Sequence, residues 1–315
     1  MNTDVIGTDV LHAATLLQNG ELVGIPTETV YGLAANALDE EAVLKIFEAK
    51  GRPKFDPLIV HCASVESIRN YVTDVPPVAE QLLQTFAPGP ITLLLPKRSI
   101  IPDLVTSGLP QVAVRIPQHP LTLHLLQQLP FPLAAPSANP FGYISPTTAQ
   151  HVAQQLGNRI PYILDGGPAG VGVESTIIGF EYGQPVLYRL GGLSISEIEN
   201  ITGPLQHQLN QSSNPVAPGT LKSHYAPKKK LYFGPPQPIV GKVAVIVFNK
   251  LLPQYPPQAQ HLLSPAGNLH EAARKLFATM RALDESDCDV IVTTPFPEEG
   301  LGLAINDRLR RAAAQ

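Results

Sequence analysis

The segment KGRPK places three cations, Lys50, Arg52 and Lys54, within five residues. Like charges this close repel one another unless anions or solvent compensate them. Arginine can bind a phosphate through two parallel hydrogen bonds, whereas lysine acts as a point charge. Because a threonine-rich turn over 26–29 lies about one helix upstream, the spacing indicates a phosphate-bearing substrate held beside a small polar one. The alternative is a solvated basic helix end, which the helix dipole favours.

Small polar residues follow the apolar segment PLAAP at Ser137 and Asn139. Open α/β sheets bind ligands in the crevice beyond their strand ends, so these side chains are candidates for ligand contacts. The same residue types also favour ordinary turns, which is the alternative. Further along, Ser145 followed by Pro146 predicts a helix N-cap with proline at the first helical position, and such a helix start can hold a phosphate.

Gln111 and Arg115 lie on one face of the predicted strand QVAVRIP, because side chains alternate along a strand. An arginine among valine, alanine and isoleucine is costly to bury unpaired. We therefore expect a carboxylate partner for Arg115, either a protein side chain or a ligand. Two other polar residues at strand ends, His61 and Arg189, carry little information alone: such a histidine is usually a satisfied polar residue and such an arginine a surface residue.

A glycine-rich loop over 166–172 leads into Ser175 and is open to close backbone approach. The sequence contains no P-loop, dinucleotide-binding, nucleophile-elbow or zinc-protease motif. Cations, hydroxyls and glycines at strand ends, without a catalytic triad, favour a reaction that depends on substrate positioning and charge stabilisation.

The elements that must position these residues alternate between short apolar strands and amphipathic helices over 1–204, which predicts an α/β layered domain. The predicted helices cover about 8–18, 40–50, 65–72, 76–86, 120–129 and 146–156. The predicted strands are ELVGIP, LIVHC, ITLLLP, QVAVRIP, PLAAP, YIL, STIIGF and PVLYRLG. The last two strands are separated by a short turn and predict a hairpin, so the sheet should be mixed.

Residues 205–230 are polar and rich in proline and serine, which predicts a linker. Residues 231–315 then form a second, small domain with a β-α-β rhythm. Its predicted strands are KVAVIVFN and DVIVTTP, and its helices cover 268–285 and 301–313. Asn268 can cap the first of these helices, which carries an apolar stripe.

The chain has 315 residues, which favours two domains, and its 44% hydrophobic and 15% charged content is typical of a globular protein. A net charge of −4 argues against sequence-blind nucleic-acid binding, which needs a strongly basic face. The cysteines, Cys62 and Cys288, lie far apart and suit buried apolar positions in a reducing cytoplasm. Because no signal peptide or membrane-spanning run is visible, we expect a soluble, cytoplasmic protein without stable membrane contact.

Five motifs follow one another over residues 21–191: PTETVYGL, KGRP-x-x-x-PLIVH, PSANP-x-G-x-ISPT, ESTI and RLG. Their order and spacing resemble the YrdC/Sua5 family, the threonylcarbamoyl-AMP synthases of tRNA modification. The later segment APGTLKSHYAP resembles the linker of the longer Sua5 form. The resemblance implies a YrdC-like twisted mixed sheet with helices, followed by a small Rossmann-like α/β domain.

The resemblance also implies an activity. Members combine L-threonine, bicarbonate or CO2, and ATP into threonylcarbamoyl-AMP, and they release pyrophosphate. The product is used for the t6A modification at position 37 of tRNA, so a downstream t6A transferase is an implied partner. Contact with tRNA itself is not required for this step. Mg2+ is expected on the triphosphate.

Residue roles follow from the same resemblance. The polar set around the phosphates is Lys50, Arg52, Ser137 and Asn139. The L-threonine pocket is Thr29, His61, Arg115, Ala135 and Ser175, with Arg115 on the substrate carboxylate. ATP contacts fall on Arg52, Asp56, Gln111, Ser137, Ser145, Arg189 and Tyr225, and Tyr225 reaches back from the linker as part of a lid that excludes water.

The sequence departs from the family pattern at two of these positions, because members often carry Asn at Asp56 and Thr at Gln111. An acidic Asp56 near phosphates needs compensation, from Mg2+ or from Lys54. Arg52→Ala is predicted to lose most activity and to leave folding intact, since a cation beside a strand contributes little to the core.

Two other functions are rival hypotheses. One is a non-catalytic RNA-binding module, against which the acidic net charge and the absence of tryptophan argue. The other is carbamoyl-adenylate transfer to a different acceptor, as in related domains of hydrogenase maturation. The linker and the second domain favour the Sua5 type.

Overall fold

The computed structural model describes residues 5–209, 215, 217–236 and 239–314. Of the predicted linker over 205–230, residues 210–214 and 216 lie outside the described residues. The first four residues of the predicted domain 1–204, and residues 237, 238 and 315 of the predicted domain 231–315, also lie outside them.

The strands, numbered in chain order, are β1 Ile6–Gly7, β2 Val23–Ile25, β3 Gly32–Asn36, β4 Ile59–His61, β5 Ile91–Pro96, β6 Gln111–Arg115, β7 Leu133–Ala134, β8 Tyr162–Leu164, β9 Thr176–Glu181, β10 Gln184–Arg189, β11 Gln206–His207, β12 Lys230–Phe233, β13 Val243–Val247, β14 Gln260–Leu262 and β15 Val290–Thr293. The helices are α1 Val10–Gln18, α2 Glu40–Lys50, α3 Val65–Ile68, α4 Pro77–Phe86, α5 Asp103–Thr106, α6 Pro120–Gln127, α7 Ala149–Leu156, α8 Ile195–Thr202, α9 Leu269–Glu285 and α10 Leu301–Ala313, with a 3-10 turn at Pro257–Ala259.

The larger sheet has the strand order β1-β8-β2-β3-β7-β4-β6-β5-β9-β10-β11. It is mixed: β4 and β6 run parallel, β5 and β6 run antiparallel, and β9 and β10 form an antiparallel hairpin. The predicted mixed sheet and its closing hairpin are therefore confirmed. Strands β4 and β6 are neighbours, and their ends bring His61 opposite Arg115.

The smaller sheet has the order β12-β15-β13-β14, and every pair in it is parallel. Helices α9 and α10 accompany it, which confirms the predicted second α/β domain. The side chain of Asn268 caps α9 by accepting hydrogen bonds from the backbone of His270 and Glu271, as the sequence predicts.

Helix α2 places two cations of the basic segment. Asp39 caps its first turn, accepting from the backbone nitrogens of Glu41 and Ala42. The helix ends at Gly51, whose φ of 61° lies in the left-handed region that glycine tolerates best. Lys50 is thus the last helical residue, and Arg52 begins the loop that leads to β4.

One predicted helix start is wrong. Helix α7 begins at Ala149 with Thr148 as its N-cap, so neither Ser145 nor Pro146 belongs to a helix start. The backbone carbonyl of Pro146 accepts a hydrogen bond from Tyr31 at 2.8 Å. This pairing holds the segment beside the first-domain core and keeps it out of the helix.

The two sheets are joined by a shared apolar cluster. Val30, Ile144 and Val173 of the first domain pack in one cluster with Tyr225 of the linker and Phe277 of α9. Both cysteines are buried and unbonded to each other. Among the described residues, no helix has both the length and the apolar character needed to cross a membrane.

Candidate active site

The strand ends and the linker together enclose a cavity of about 50 Å3. Eight of the predicted site residues line it: Thr29, Arg52, His61, Arg115, Ala135, Ser137, Arg189 and Tyr225. Lys50, Asp56, Asn139, Ser145 and Ser175 lie directly behind these residues and contact the loops or side chains that form the wall, as described below. The linker contributes Pro218, Gly219, His224 and Tyr225 to the lining.

Arg52 and Asp56 form a buried pair at one wall. Arg52 Nε donates to the carbonyl of Asp56 at 3.0 Å, and its Nη2 donates to the carbonyl of Pro57 at 2.8 Å. Nη2 also lies 2.8 Å from Asp56 Oδ2, but not in hydrogen-bonding alignment, and neither side-chain oxygen of Asp56 accepts a hydrogen bond. Burial raises the pKa of Asp56, while Arg52 and Lys50 oppose that rise.

This pair corrects two sequence-based expectations. The expected compensation of Asp56 by Lys54 does not occur, because Lys54 is exposed and Arg52 fills that role. A solvated basic helix end is also excluded, since Lys50 is only 2% and Arg52 only 7% exposed.

Lys50 holds the loop that follows β7. Its ammonium donates to the backbone carbonyl of Ser137 at 2.6 Å and to that of Asn139. Burial, and then the neighbouring Arg52, lower the pKa of Lys50 well below its usual range. The amide nitrogen of Asn139 donates to the carbonyls of Pro140 and Tyr143, each at 2.8 Å. Its amide oxygen, Oδ1, is buried without a partner.

Arg115 finds its carboxylate in the protein. Its Nη2 donates to Glu28 Oε1 at 2.7 Å, and the other oxygen of Glu28 accepts from the backbone of Gln118 at 2.9 Å. Of the two partners that the sequence leaves open, the structure shows the protein side chain. The Nε of Arg115 is buried and has no partner, so this donor remains for a ligand.

His61 and two threonine hydroxyls lie in the same part of the cavity. Burial, and then the charge of Arg115, lower the pKa of His61 to about 3, which keeps its ring neutral. The hydroxyls of Thr27 and Thr29 lie 2.8 Å apart, and that of Thr27 also donates to the carbonyl of Val30. A neutral ring and two hydroxyls beside a cation suit a small polar ligand with one carboxylate.

Arg189 is 4% exposed, so the expectation of a surface arginine is wrong. Its Nε and Nη2 donate to the carbonyl of Ser175 at 3.1 and 3.0 Å, and its Nη1 donates to Pro218 of the linker at 2.9 Å. The hydroxyl of Ser175 lies 3.0 Å from Nη2 of Arg189 and 2.7 Å from the hydroxyl of Thr92. Arg189 therefore ties the end of β10 to the linker.

Ser145 contacts a carboxylate that the sequence analysis missed. Its hydroxyl donates to Glu174 Oε1 at 2.6 Å, and Glu174 Oε2 lies 2.7 Å from Nε of Arg308 on α10. Glu174 opens the motif ESTI and Glu28 lies inside PTETV, so both motifs offered a signal. Arg308 offered none, because it occurs in a helix where arginines normally face solvent.

The linker residues His224 and Tyr225 form the remaining wall. Tyr225 has a φ of 64°, which is uncommon for a residue with a side chain. The rings of His224 and Tyr225 meet edge to face with centroids 4.1 Å apart. His224 Nδ1 and the Tyr225 hydroxyl are both buried without partners.

The glycine loop approaches the second domain. At Gly172, φ is 83°, and a side chain would meet the backbone of Arg274 on α9 within 2.3 Å. The close approach that the glycines predict therefore joins this loop to α9.

Gln111 is placed apart from the cavity. It pairs with Pro96 at the start of β6, four residues before Arg115 and so about 13 Å away along the strand. It does not line the cavity, and its proposed ATP contact stays a prediction.

Buried polar groups are normally hydrogen-bonded, so unpartnered ones call for an explanation. Within the described ranges, such side-chain atoms lie mostly in the cavity lining or directly behind it: Arg115 Nε, His224 Nδ1 and Tyr225 Oη in the lining, Asp56 Oδ1 and Oδ2 and Asn139 Oδ1 behind it, with His119 Nδ1 as the remaining one. This concentration is typical of a site that completes its hydrogen bonds with a ligand.

The arrangement does not supply a metal cage. Among the described residues, no group of three or more His, Cys, Asp or Glu side chains is placed to hold an ion. The three carboxylates of the site, Glu28, Asp56 and Glu174, each pair with an arginine.

The sequence matches two family models that together follow this architecture. Residues 15–191 match the Sua5/YciO/YrdC model, described as telomere recombination, and residues 193–314 match the model of the threonylcarbamoyl-AMP synthase C-terminal domain. The chain belongs to the Sua5/YciO/YrdC family. Its second domain is of the type found in the longer Sua5 proteins.

Relatives match over nearly the whole length. The threonylcarbamoyl-AMP synthase of Pyrococcus abyssi is 42% identical, with 96% of this chain and 93% of the relative covered. The Bacillus subtilis protein of the same name is 40% identical, with 99% and 95% covered. A crystal structure of P. abyssi Sua5 complexed with L-threonine superposes with a TM-score of 0.90 at 40% identity, covering 98% of this chain and 96% of that one.

Proposed function

We propose that this protein is a threonylcarbamoyl-AMP synthase. It joins L-threonine, bicarbonate or CO2, and ATP into threonylcarbamoyl-AMP and pyrophosphate, for t6A37 modification of tRNA. The observation that carries the proposal is the free Nε donor of Arg115, buried in the cavity that Arg52 and Arg189 also line. Full-length relatives of this name, one of them solved with L-threonine, support it.

The threonine half of the site follows from the contacts around Arg115. The substrate carboxylate accepts from Nε of Arg115, while Glu28 accepts from Nη2 and holds the guanidinium in place. The hydroxyls of Thr27 and Thr29 then face the polar side chain of the substrate. Ala135 and Ser175 close the pocket, and the neutral ring of His61 adds a partner without a second charge.

The nucleotide half depends on cations held in place before the substrate arrives. Arg52 and Arg189 line the cavity, and Lys50 holds the loop of Ser137 and Asn139 from behind. Preorganised charges of this kind stabilise the negative charge that develops during phosphoryl chemistry. Ser145 and Asp56 support this half through Glu174 and Arg52, and Tyr225 closes over it.

The proposed reaction needs no side-chain nucleophile. The threonine amine adds to CO2 and loses a proton, which gives a carbamate. A carbamate oxygen then forms a bond to the α-phosphorus of ATP as the bond from that phosphorus to the pyrophosphate oxygen breaks. The protein orients the two substrates and compensates charge.

Mg2+ enters this scheme with the nucleotide. The carboxylates of the site are already paired with arginines, so the described side chains do not fit a resident metal. The ion is expected to travel on the triphosphate as part of the substrate.

The linker acts as a lid in this proposal. A cavity of about 50 Å3 is far below the roughly 300–1,000 Å3 that ligand pockets usually offer. Because Pro218, Gly219, His224 and Tyr225 form one wall, displacing them enlarges the space, and their return excludes water. The domain division 1–204, 205–230 and 231–315 and a cytoplasmic location, which two free buried cysteines suit, belong to the same proposal.

The rival RNA-binding function requires an accessible basic face. The cations of this site are at most 7% exposed, which does not favour it.

The proposal is tested with the purified chain, ATP and bicarbonate, with and without L-threonine. Pyrophosphate release should depend on threonine, and mass spectrometry should detect threonylcarbamoyl-AMP. Equal pyrophosphate yields with and without threonine would contradict the function. Arg115→Gln serves as the matched variant: it should lose threonine-dependent pyrophosphate release yet keep ATP binding in isothermal titration. It removes the substrate-carboxylate contact and the cation that pairs with Glu28, but leaves the cations of the nucleotide half in place.

A further inference from the structure

We propose that Arg308, on the last helix of the second domain, is a positioning residue for the nucleotide half of the site. It pairs with the wall carboxylate Glu174 and orients the lid residue Tyr225. This inference rests on the proposed function and concerns a residue outside the matched motifs of the first domain.

Arg308 is fully buried, and each of its three guanidinium nitrogens makes a polar contact. Its Nε lies 2.7 Å from Glu174 Oε2, its Nη2 donates to the carbonyl of Leu190 at 2.8 Å, and its Nη1 donates to Asp307 Oδ2 at 2.7 Å. Leu190 follows directly on Arg189, which lines the cavity. A side chain of the second domain therefore reaches two points on the wall of the first.

The contact between Arg308 and Glu174 affects nucleotide binding through the charge of the carboxylate. Glu174 lines the cavity, and an unpaired carboxylate there would repel a triphosphate. Although burial raises the pKa of Glu174, Arg308 and Arg189 outweigh that effect, so the pKa falls to about 2. Glu174 is thus ionised at neutral pH, and Arg308 cancels its charge across 2.7 Å.

Arg308 also contacts the lid. Its guanidinium carbon lies 5.1 Å from the centre of the Tyr225 ring, and the same ring stacks on Phe277 at 5.5 Å. These contacts hold a residue whose backbone φ is 64°, and they leave its hydroxyl free of protein partners. Arg308 and Phe277 thereby fix the direction of the hydroxyl.

Neighbouring residues of α10 contact two further linker residues, Leu221 and His224. Asp307, which binds Arg308, also accepts from Arg311 Nε at 3.0 Å. Arg311 in turn donates to the carbonyl of Leu221, and its own carbonyl accepts from the backbone of His224 at 3.3 Å. Residues of one helix, α10, therefore contact both the linker and the cavity wall.

The test compares Arg308→Met, Glu174→Gln and the double variant with the wild-type chain. Arg310→Gln is the matched control, because Arg310 lies on the same helix, is exposed and pairs with the exposed Glu298. Steady-state kinetics with each substrate varied, ATP titration calorimetry and thermal unfolding are measured on every variant.

In Arg308→Met, the KM for ATP should rise about tenfold or more, as expected when one partner of a buried charge pair is lost. The KM for threonine should stay within about twofold, because Arg115 lies outside this contact. The double variant should bring the KM for ATP back to within about threefold of wild type, since the unpaired carboxylate is gone. Arg310→Gln should match wild type throughout.

A pH profile separates charge compensation from a purely structural role. The groups that face Glu174 are Arg308 of α10, Arg189 of β10, Ser145, and His224 and Tyr225 of the linker. Without Arg308 the pKa of Glu174 rises, so the ATP affinity of Arg308→Met, relative to wild type, should recover as the pH is lowered. The double variant should show no such recovery.

Three results would overturn the inference: a folded Arg308→Met with the wild-type KM for ATP, a double variant as impaired as the single one, or equal losses for both substrates without pH dependence. If Arg308→Met does not fold, the double variant decides alone, because a KM for ATP more than about threefold above wild type in it contradicts charge compensation. Absence of threonine-dependent turnover in the wild type would instead contradict the proposed function, and ATP calorimetry would still compare the variants.

Discussion

Arg115 and Glu28 form a buried ion pair in which Nη2 lies 2.7 Å from Oε1. The pair uses Nη2 and leaves the neighbouring Nε without a partner. Its geometry makes Glu28, which no sequence-based argument singled out, the residue that orients the proposed threonine contact.

Glu28→Gln should therefore raise the KM for L-threonine by about tenfold while the KM for ATP changes by less than about twofold. The amide keeps the size of the side chain but no longer fixes the cation. Glu21→Gln, which removes the half-exposed pair with Lys45, is the control and should leave both constants unchanged. An unaltered KM for threonine in Glu28→Gln would show that Arg115 needs no such partner.

Arg52→Ala should destabilise the protein as well as inactivate it, contrary to the expectation from sequence that its folding is intact. The variant leaves Asp56 buried without its cation, a change that costs about 3–5 kcal/mol in comparable pairs. Adding Asp56→Asn should recover part of the lost stability and none of the activity, which should remain about 100-fold or more below wild type.

Thermal unfolding and pyrophosphate release measure both effects. The single variant should melt about 6–20 °C lower than wild type, given roughly 2–4 °C per kcal/mol. Lys54→Ala, at an exposed position of the same segment, is the control. A single variant as stable as wild type would refute the structural part of this prediction.

Tyr225→Phe should separate catalysis from stability. The hydroxyl of Tyr225 is buried and has no protein partner, so its removal should leave the melting temperature unchanged or raise it. ATP affinity should fall if the hydroxyl contacts the nucleotide. Tyr143→Phe is the contrasting variant, because its hydroxyl donates to Asp284 at 2.6 Å and its loss should cost about 1 kcal/mol of stability.

Stability should fall as the pH drops through the range between about 6.5 and 3. Burial lowers the pKa of His61 and of His224 from 6.5 to about 3, so the unfolded chain binds more protons than the folded one in that window. This contribution is fully present above the unfolded pKa and is lost on acidification, with a slope of at most about 1.4 kcal/mol per pH unit for each residue.

Unfolding curves between pH 7 and pH 5 measure this slope. His61→Gln should flatten it, whereas the exposed His270→Gln should not. Equal slopes in wild type and His61→Gln would refute the assignment.

The sequence predicted those elements that carry strong local signals. Helix α2 begins at a capping aspartate and ends at a glycine. Helix α10 has the predicted bounds, and α9 begins at Leu269, one residue after the predicted start. Strand β3, GLAAN, was missed because alanine and glycine have weak strand propensity, and its pairing with β2 and β7 decides its conformation. The short α5 and the helix α8 were missed as well.

In the candidate site, likewise, some residues were predictable from the sequence and others were not. Cations and hydroxyls within motifs were recognisable by type, and the structure brings Arg52, Arg115 and Arg189 to one cavity although they are far apart in sequence. Glu28 and Glu174 lie inside recognisable motifs, but the arginine that each one pairs with was not predictable. Their pairs with Arg115 and Arg308 join distant segments. The burial of Arg189 depends on the same long-range packing. Arg52 and Asp56, in contrast, pair across only four residues.

The ion pair between Glu174 and Arg308 joins residues 134 positions apart. At roughly 5–20 residues per second, a ribosome adds Arg308 about 7–27 s after Glu174. During that interval Glu174 lacks Arg308, and in the nascent first domain its carboxylate is compensated by the hydroxyl of Ser145 and the nearby Arg189. The pair between Glu174 and Arg308 therefore cannot form until the last helix has been synthesised. A translational pause within the last third of the message would prolong the interval in which Glu174 lacks Arg308.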